Sequence, residues 1–216
     1  MVAQITEGTA FDRHGRPFHR RRLVPGIVLF SVLAVVALIA WIVALNQPTD
    51  VRQAIVCNAP PPAADPAAPQ LGEQVASSAM TGITPAPLAD VKIRVLNASG
   101  QGGQAGEIAG ELRDLGFAQP DASNDPVYAG ATLQCQGQIR FGQQGRASAA
   151  ALWLVAPCTE LFQDDRADST VDLALGTDFN ELSNSDDIRA VLASLRPDAT
   201  APTDSALLSK IHTGVC

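Results

Sequence analysis

The chain has 216 residues, a net charge of −7 and four cysteines, and 46% of its residues are hydrophobic. Arg13, Arg16, Arg20, Arg21 and Arg22 stand against Glu7 and Asp12 in the first 22 residues, a net of +3, so the remainder carries −10. A body this acidic excludes general nucleic-acid binding, which rests on neutralising phosphates with Lys and Arg.

Residues 1–22 are polar and Arg-rich, with too few apolar side chains to build a core, and read as a cytoplasmic tail. Residues 23–46 follow as a transmembrane helix. From Ile27 to Leu45 only Ser31 is polar, and at about 1.5 Å per residue such a run crosses a hydrocarbon core of roughly 30 Å. A cleaved signal peptide is the rival, but its apolar core is usually about 7–15 residues and ends close to a small-x-small site. The Arg bias before the span places the N-terminus in the cytoplasm and everything after about Asn46 outside it, as a single-pass plasma-membrane protein. Trp41 fits an interfacial anchor near the outer end.

Residues 47–88 read as a Pro/Ala-rich extracytoplasmic linker, with NAPPPAADPAAPQLG (Asn58 to Gly72) favouring extended polyproline II. Residues 89–216, enough for one domain with its own core, form the folded part. In VKIRV, Val91, Ile93 and Val95 alternate with Lys92 and Arg94, the period of a strand with one buried face. A Gly-rich turn follows at Asn97 to Gly103. Ala105, Ile108, Ala109, Leu112 and Leu115 then fall at helical spacing, with Gly116 as C-cap.

A weaker second strand begins at Phe117 and is interrupted by Pro120. Gln138 to Phe141 makes a third, and a helix runs from Arg146 to about Ala156, stopped by Pro157. Val171 to Leu175 is the fourth strand, and Ser185–Leu195 and Ser205–Ile211 are closing helices. The order β-α-β-β-α-β followed by two helices predicts an α/β (α+β) two-layer sandwich on the split βαβ plan, preceded by one transmembrane helix.

Several patterns bear on chemistry. Gly100-Gln-Gly102-Gly-Gln-Ala105 has the form of the dinucleotide fingerprint, yet the chain lacks the series of parallel βαβ units that accompanies it. The glycines serve a tight strand-to-helix turn, whose free N–H groups are open to a phosphate or carboxylate. His212 is the lone histidine after the span, and no G-x-S-x-G elbow presents a serine to it. Asp164, Asp165 and Asp168 lack calcium-loop spacing and read as a solvated loop. No metal or cofactor is expected.

The four cysteines Cys57, Cys135, Cys158 and Cys216 all follow the span, where thiols are commonly oxidised, and permit three connectivities. The third strand runs away from Cys135 and the next helix returns to Cys158. This places both at one end of the sandwich and predicts Cys135–Cys158, leaving Cys57–Cys216.

VLNASGQGGQAGEIAGELRDLGF (Val95 to Phe117) and LGTDF (Leu175 to Phe179) resemble the LytR C-terminal domain family. Its members open on a V-x-V-L-N-G-(S/T)-G strand-turn-helix and close on a strand ending in LG-(S/T)-D-F. Ala98 stands where many members have Gly. The resemblance implies an envelope role. Full-length members pair this module with a phosphotransferase domain that joins glycopolymers to peptidoglycan. No such domain fits here, because the linker is complete before Val91, so their catalytic residues have no positions to map onto.

The leading expectation is therefore a non-enzymatic, membrane-anchored cell-envelope protein whose exported domain binds a wall glycopolymer, a lipid-linked precursor or head group, or another envelope protein. The alternatives are a scaffold acting through its span or tail, and an exported hydrolase or transferase with a dispersed site. In the split βαβ plan the first strand lies between the third and fourth, so Lys92, Arg94 and Arg140 gather with Asp172 on the face away from the helices. The bland account is a solvated sheet face with Asp172 pairing across strands. The functional account is a basic patch whose arginine forks receive phosphate or carboxylate groups, with Asn97, Ser99, Gly100, Gly102 and Gly103 of the turn as the second candidate.

Overall fold

The computed structural model describes residues 24–46, 56–62, 69–200 and 202–212; the Arg-rich tail and Cys216, on which two of the expectations fall, lie outside the described residues. The chain divides into two units, residues 1–48 and 49–216. In the first, α1 spans Val24–Asn46. It is long and apolar enough to cross a membrane, and Val24 through Trp41 are exposed.

The second unit runs β1 (Glu73–Gln74), β2 (Ile93–Asn97), α2 (Gln104–Leu115), β3 (Asp121–Asn124), β4 (Gly137–Gly142), α3 (Arg146–Trp153), β5 (Glu160–Asp164), β6 (Val171–Leu175), α4 (Asp186–Ser194) and α5 (Ser205–His212). The strands form one sheet in the order β1-β5-β4-β6-β2-β3. The alternation read in the sequence sets the faces. Ile93, Val95, Ile139, Phe141, Leu161, Val171, Leu173 and Leu175 turn to the helices and join Ile108 and Leu112 of α2, Leu152 and Trp153 of α3, Val191 and Leu192 of α4 and Leu208 of α5 in one core. The two-layer α/β plan holds.

Within it the sheet has six strands where four are expected. The strand Glu160–Asp164 goes beyond the sequence reading, which has only Asp164 in a solvated loop: Leu161 and Phe162 are adjacent and break the alternation, and both are buried, one on each face of the sheet. The strand order also differs. β6 lies between β2 and β4, parallel to the first and antiparallel to the second, so the fourth expected strand occupies the centre and the first does not separate it from the third. The reason is the two parallel crossovers. β2-α2-β3 returns beside β2 and β4-α3-β5 returns beside β4, leaving one gap for β6.

The folded unit begins before residue 89. Met80 and Leu88 are fully buried in the helix-side core, and Gln74 pairs with Phe162. The expected second strand starts only at Asp121, because Phe117 is drawn into the core behind the αL cap at Gly116.

The disulfide pairing is corrected too. Cys57 is bonded to Cys135, with Cα atoms 5.0 Å apart, which excludes both Cys135–Cys158 and Cys57–Cys216. Cys158 is itself disulfide-bonded. Cys135 and Cys158 do sit near the same ends of the adjacent parallel strands β4 and β5. Cys135 belongs to a second, smaller cluster with Leu96, Ala98, Tyr128, Leu133 and Ala174 on the helix-free face, whereas Cys158 follows Val155 and Ala156 of the helix-side core.

That small cluster is roofed by the 125–135 loop, and Cys57 and Asn58 lock onto it. Asn58 Nδ2 donates to the Thr132 carbonyl at 3.1 Å, its Oδ1 accepts from Gln134 N–H at 2.6 Å, and its carbonyl accepts from the Tyr128 hydroxyl. The start of the expected linker is thus part of the fold.

Candidate functional site

Period-2 alternation puts Arg94 of β2, Asp172 of β6 and Arg140 of β4 on the helix-free face, and register places Arg94 and Arg140 each opposite Asp172. The three therefore form one row across the sheet, with Asp172 in the middle where the sequence reading put Arg94. Their electrostatics differ from the expected basic patch. Arg94 Nε and Nη2 donate to the two oxygens of Asp172 at 2.7 and 2.9 Å. Arg140, only 3% exposed, donates from Nη1 and Nη2 to Asp125 at 3.0 and 2.8 Å and from Nε to Gln138 Oε1 at 3.1 Å. Its guanidinium carbon also lies 5.7 Å from the centroid of the Tyr128 ring.

A third arginine, Arg166, completes the network. It donates from Nε to Asp164 at 2.8 Å and from Nη2 to Asp172 at 2.7 Å. Burial alone would lower its pKa, but Asp164 and Asp172 outweigh this and push it up; burial likewise works against the charge on Asp164, yet hydrogen bonds from Arg166 and the charges of Arg166 and Arg94 hold that carboxyl below its usual range. Gly142, at the end of β4, makes this approach possible, since a Cβ there would stand 2.1 Å from the Arg166 carbonyl oxygen. Arg166, Asp164 and Asp125 were missed because none lies on a strand predicted from the sequence. The available sign was the burial cost of Arg140, which demands a carboxylate partner.

Arg94, Arg166, Asp164, Asp168 and Asp172 line a groove of about 460 Å³, together with Leu96 and Val127 on its apolar side and Ser123 and Asn124 at the β3 edge. Pro69 and Gln70 also line it. Lys92 is exposed, precedes β2 and does not line the groove.

The second candidate, the strand-to-helix turn, is held by its own side chains. Asn97 Oδ1 accepts from Ser99 N–H at 3.1 Å and Asn97 Nδ2 donates to the Gln101 carbonyl at 2.6 Å. Ser99 Oγ donates to Gln104 Oε1 at 2.6 Å and accepts from Gln101 N–H at 3.1 Å. Gly100 and Gly103 adopt φ of 80° and 87°, as a tight turn requires, while Gly102 does not. The fingerprint is accounted for by turn geometry.

Deeper on the same face, Glu160 accepts from Gln74 Nε2 at 3.2 Å and Gln138 Nε2 at 3.5 Å, and its burial pushes its pKa up. His212 is far from any such cluster in role. It stacks on Trp153, with ring centroids 4.0 Å apart, and burial pushes its pKa down.

The whole Arg/Asp network falls within residues 90–179, and those residues match the family described as LytR cell envelope-related transcriptional attenuator. Over 216 residues, all of this chain and all of the relative, the sequence is 64% identical to the cell envelope integrity protein Cei of Mycobacterium tuberculosis. The chain belongs to the Cei family. Its fold is also similar to the crystal structure of the soluble domain of a hypothetical secreted protein from Mycobacterium marinum, at 64% identity and a TM-score of 0.67, covering 68% of this chain and 99% of that one. Relative to the LytR C-terminal module, this Cei-family chain adds β1 before it and α4 and α5 after it. No group of three or more His, Cys, Asp or Glu suited to a metal ion occurs among the described residues.

Proposed function

We propose that this protein is a single-pass, non-catalytic envelope-integrity factor, inserted with its N-terminus in the cytoplasm, whose exported domain binds an envelope component at the helix-free face of its sheet. Full-length likeness to a cell envelope integrity protein carries this reading, and the apolar α1 supplies the anchor. The groove supports the binding part. At about 460 Å³ it lies in the range of roughly 300–1,000 Å³ usual for ligand sites, with convergent polar groups on one side and apolar ones on the other.

The test exchanges parts. In cells lacking the gene, a chain with α1 replaced by an unrelated span but with residues 49–216 intact should restore the envelope's barrier to a dye. A chain keeping residues 1–48 and losing the exported domain should not. The opposite pattern would move the function to the span and tail.

A further inference from the structure

The charge balance of the groove decides what can enter it. Arg94 and Arg166 are paired with Asp164 and Asp172, Arg140 is paired with Asp125 behind the lining, and Asp168 adds a further carboxylate, so no cation of the groove is left uncompensated. Every nitrogen of Arg140 and of Arg166 is already donating, to Asp125 and Gln138 in the first case and to Asp164, Asp172 and the Thr170 carbonyl in the second. A phosphate or carboxylate entering here would have to displace one of these carboxylates or lie against them uncompensated, at a cost.

We propose that the groove binds an uncharged saccharide stretch of an envelope glycan, through its hydroxyls; this deepens the exported-domain reading and rests on it. A hydroxyl donates one hydrogen bond and accepts two, and the groove offers both kinds of partner side by side. Among the described residues Arg94 Nη1 makes no hydrogen bond, so it is available as a donor at the half-exposed rim. Asp168 spends Oδ1 on Thr170 N–H and presents its remaining lone pairs as acceptors. Ser123, opposite Leu96 in register and exposed, adds a hydroxyl from the β3 edge. Half-buried Val127 and exposed Pro126, with Leu96 buried beneath them, give an apolar side on which the C–H face of a sugar ring can rest. The bidentate pairing to Asp172 holds Arg94 in place beforehand, which reduces the ordering cost of binding.

The test is an array of defined neutral oligosaccharides, each also present in phosphorylated form, probed with the full-length chain in detergent micelles. Neutral glycans should be retained, and inorganic phosphate at low salt should not compete. Asp168→Asn combined with Ser123→Ala should weaken retention at least about tenfold, close to 1.4 kcal/mol. Both side chains are exposed, and thermal melting verifies that the doubly substituted chain is folded.

Retention of phosphorylated glycans only, or competition by phosphate, would overturn the proposal in favour of an anion site. Retention undiminished in the double variant would overturn the groove as the place while leaving an exported binding domain standing. No retention of any glycan would overturn the saccharide class, and the part-exchange experiment then tells whether the exported domain matters at all.

Discussion

Asp172 is the residue on which the helix-free face turns, because it is 3% exposed and accepts from Arg94 and Arg166. A buried carboxylate is tolerated only while its partners stay. Asp172→Asn would leave Arg94 and Arg166 facing each other with their shared acceptor lost, and should cost about 3–5 kcal/mol, the range for breaking a buried pair. Arg94→Gln should cost less than about 1 kcal/mol, since Arg94 is half-exposed and Asp172 keeps Arg166. Urea denaturation of the two variants measures both; equal losses would show that the network is not centred on Asp172. The arginines were legible in the sequence as residues on a shared face. Their neutralisation was legible only in part: Asp172 pairing across strands was one of the two accounts, while Asp125 reaches Arg140 from a loop.

Among the elements, α5 carries, besides Leu208 in the core, a ring stack of His212 on Trp153 and an ion pair of Lys210 with Asp187. Burial lowers the His212 pKa from 6.5. Above that value both folded and unfolded chains carry it neutral. As pH falls below about 6.5 the unfolded chain takes up the proton first, and the penalty on the folded state is complete once pH is below the depressed folded value. With Trp41 replaced by Phe, Trp153 is the remaining tryptophan; its fluorescence should change as pH drops from about 7 to 5, and His212→Asn should abolish the change. A pH-independent signal in the parent would show that the stack does not feel the charge.

The segment at Cys57 is held by a covalent link in addition to the Asn58 hydrogen bonds. The disulfide to Cys135 closes a sequence separation of 78 residues, and on the chain-entropy account its loss should cost about 2–5 kcal/mol. Cys57→Ser should lower the melting temperature and release Asn58 from the 125–135 loop, seen as faster amide exchange at Gln134. Non-reduced peptide mapping should recover Cys57 joined to Cys135.

For the whole molecule, the proposed orientation follows from charge: five arginines precede α1, and the first charges after it are Asp50 and Arg52. A reporter active only outside the cytoplasm should work when fused after Cys216 and stay silent within residues 1–22. The reverse would place the disulfides in a reducing compartment and defeat the exported-domain reading.

The sequence by itself determined whatever depends on periods of a few residues. The apolar run of α1, the period-2 strands 93–97, 137–142 and 171–175, the helical spacing of 104–115 and the Gly-bounded turn could all be read because each is set by local sterics and the burial of one face. The family resemblance lay in the same stretches. Only the tertiary structure decided the position of β6, the two added strands, the Cys57–Cys135 bond and the partners of Arg140 and Arg166. These depend on which strands become neighbours across long sequence separations. Two parallel crossovers left one gap for β6, which placed Asp172 between Arg94 and Arg140, and Asp125, reaching Arg140 from its loop, completed the compensation of the expected basic patch.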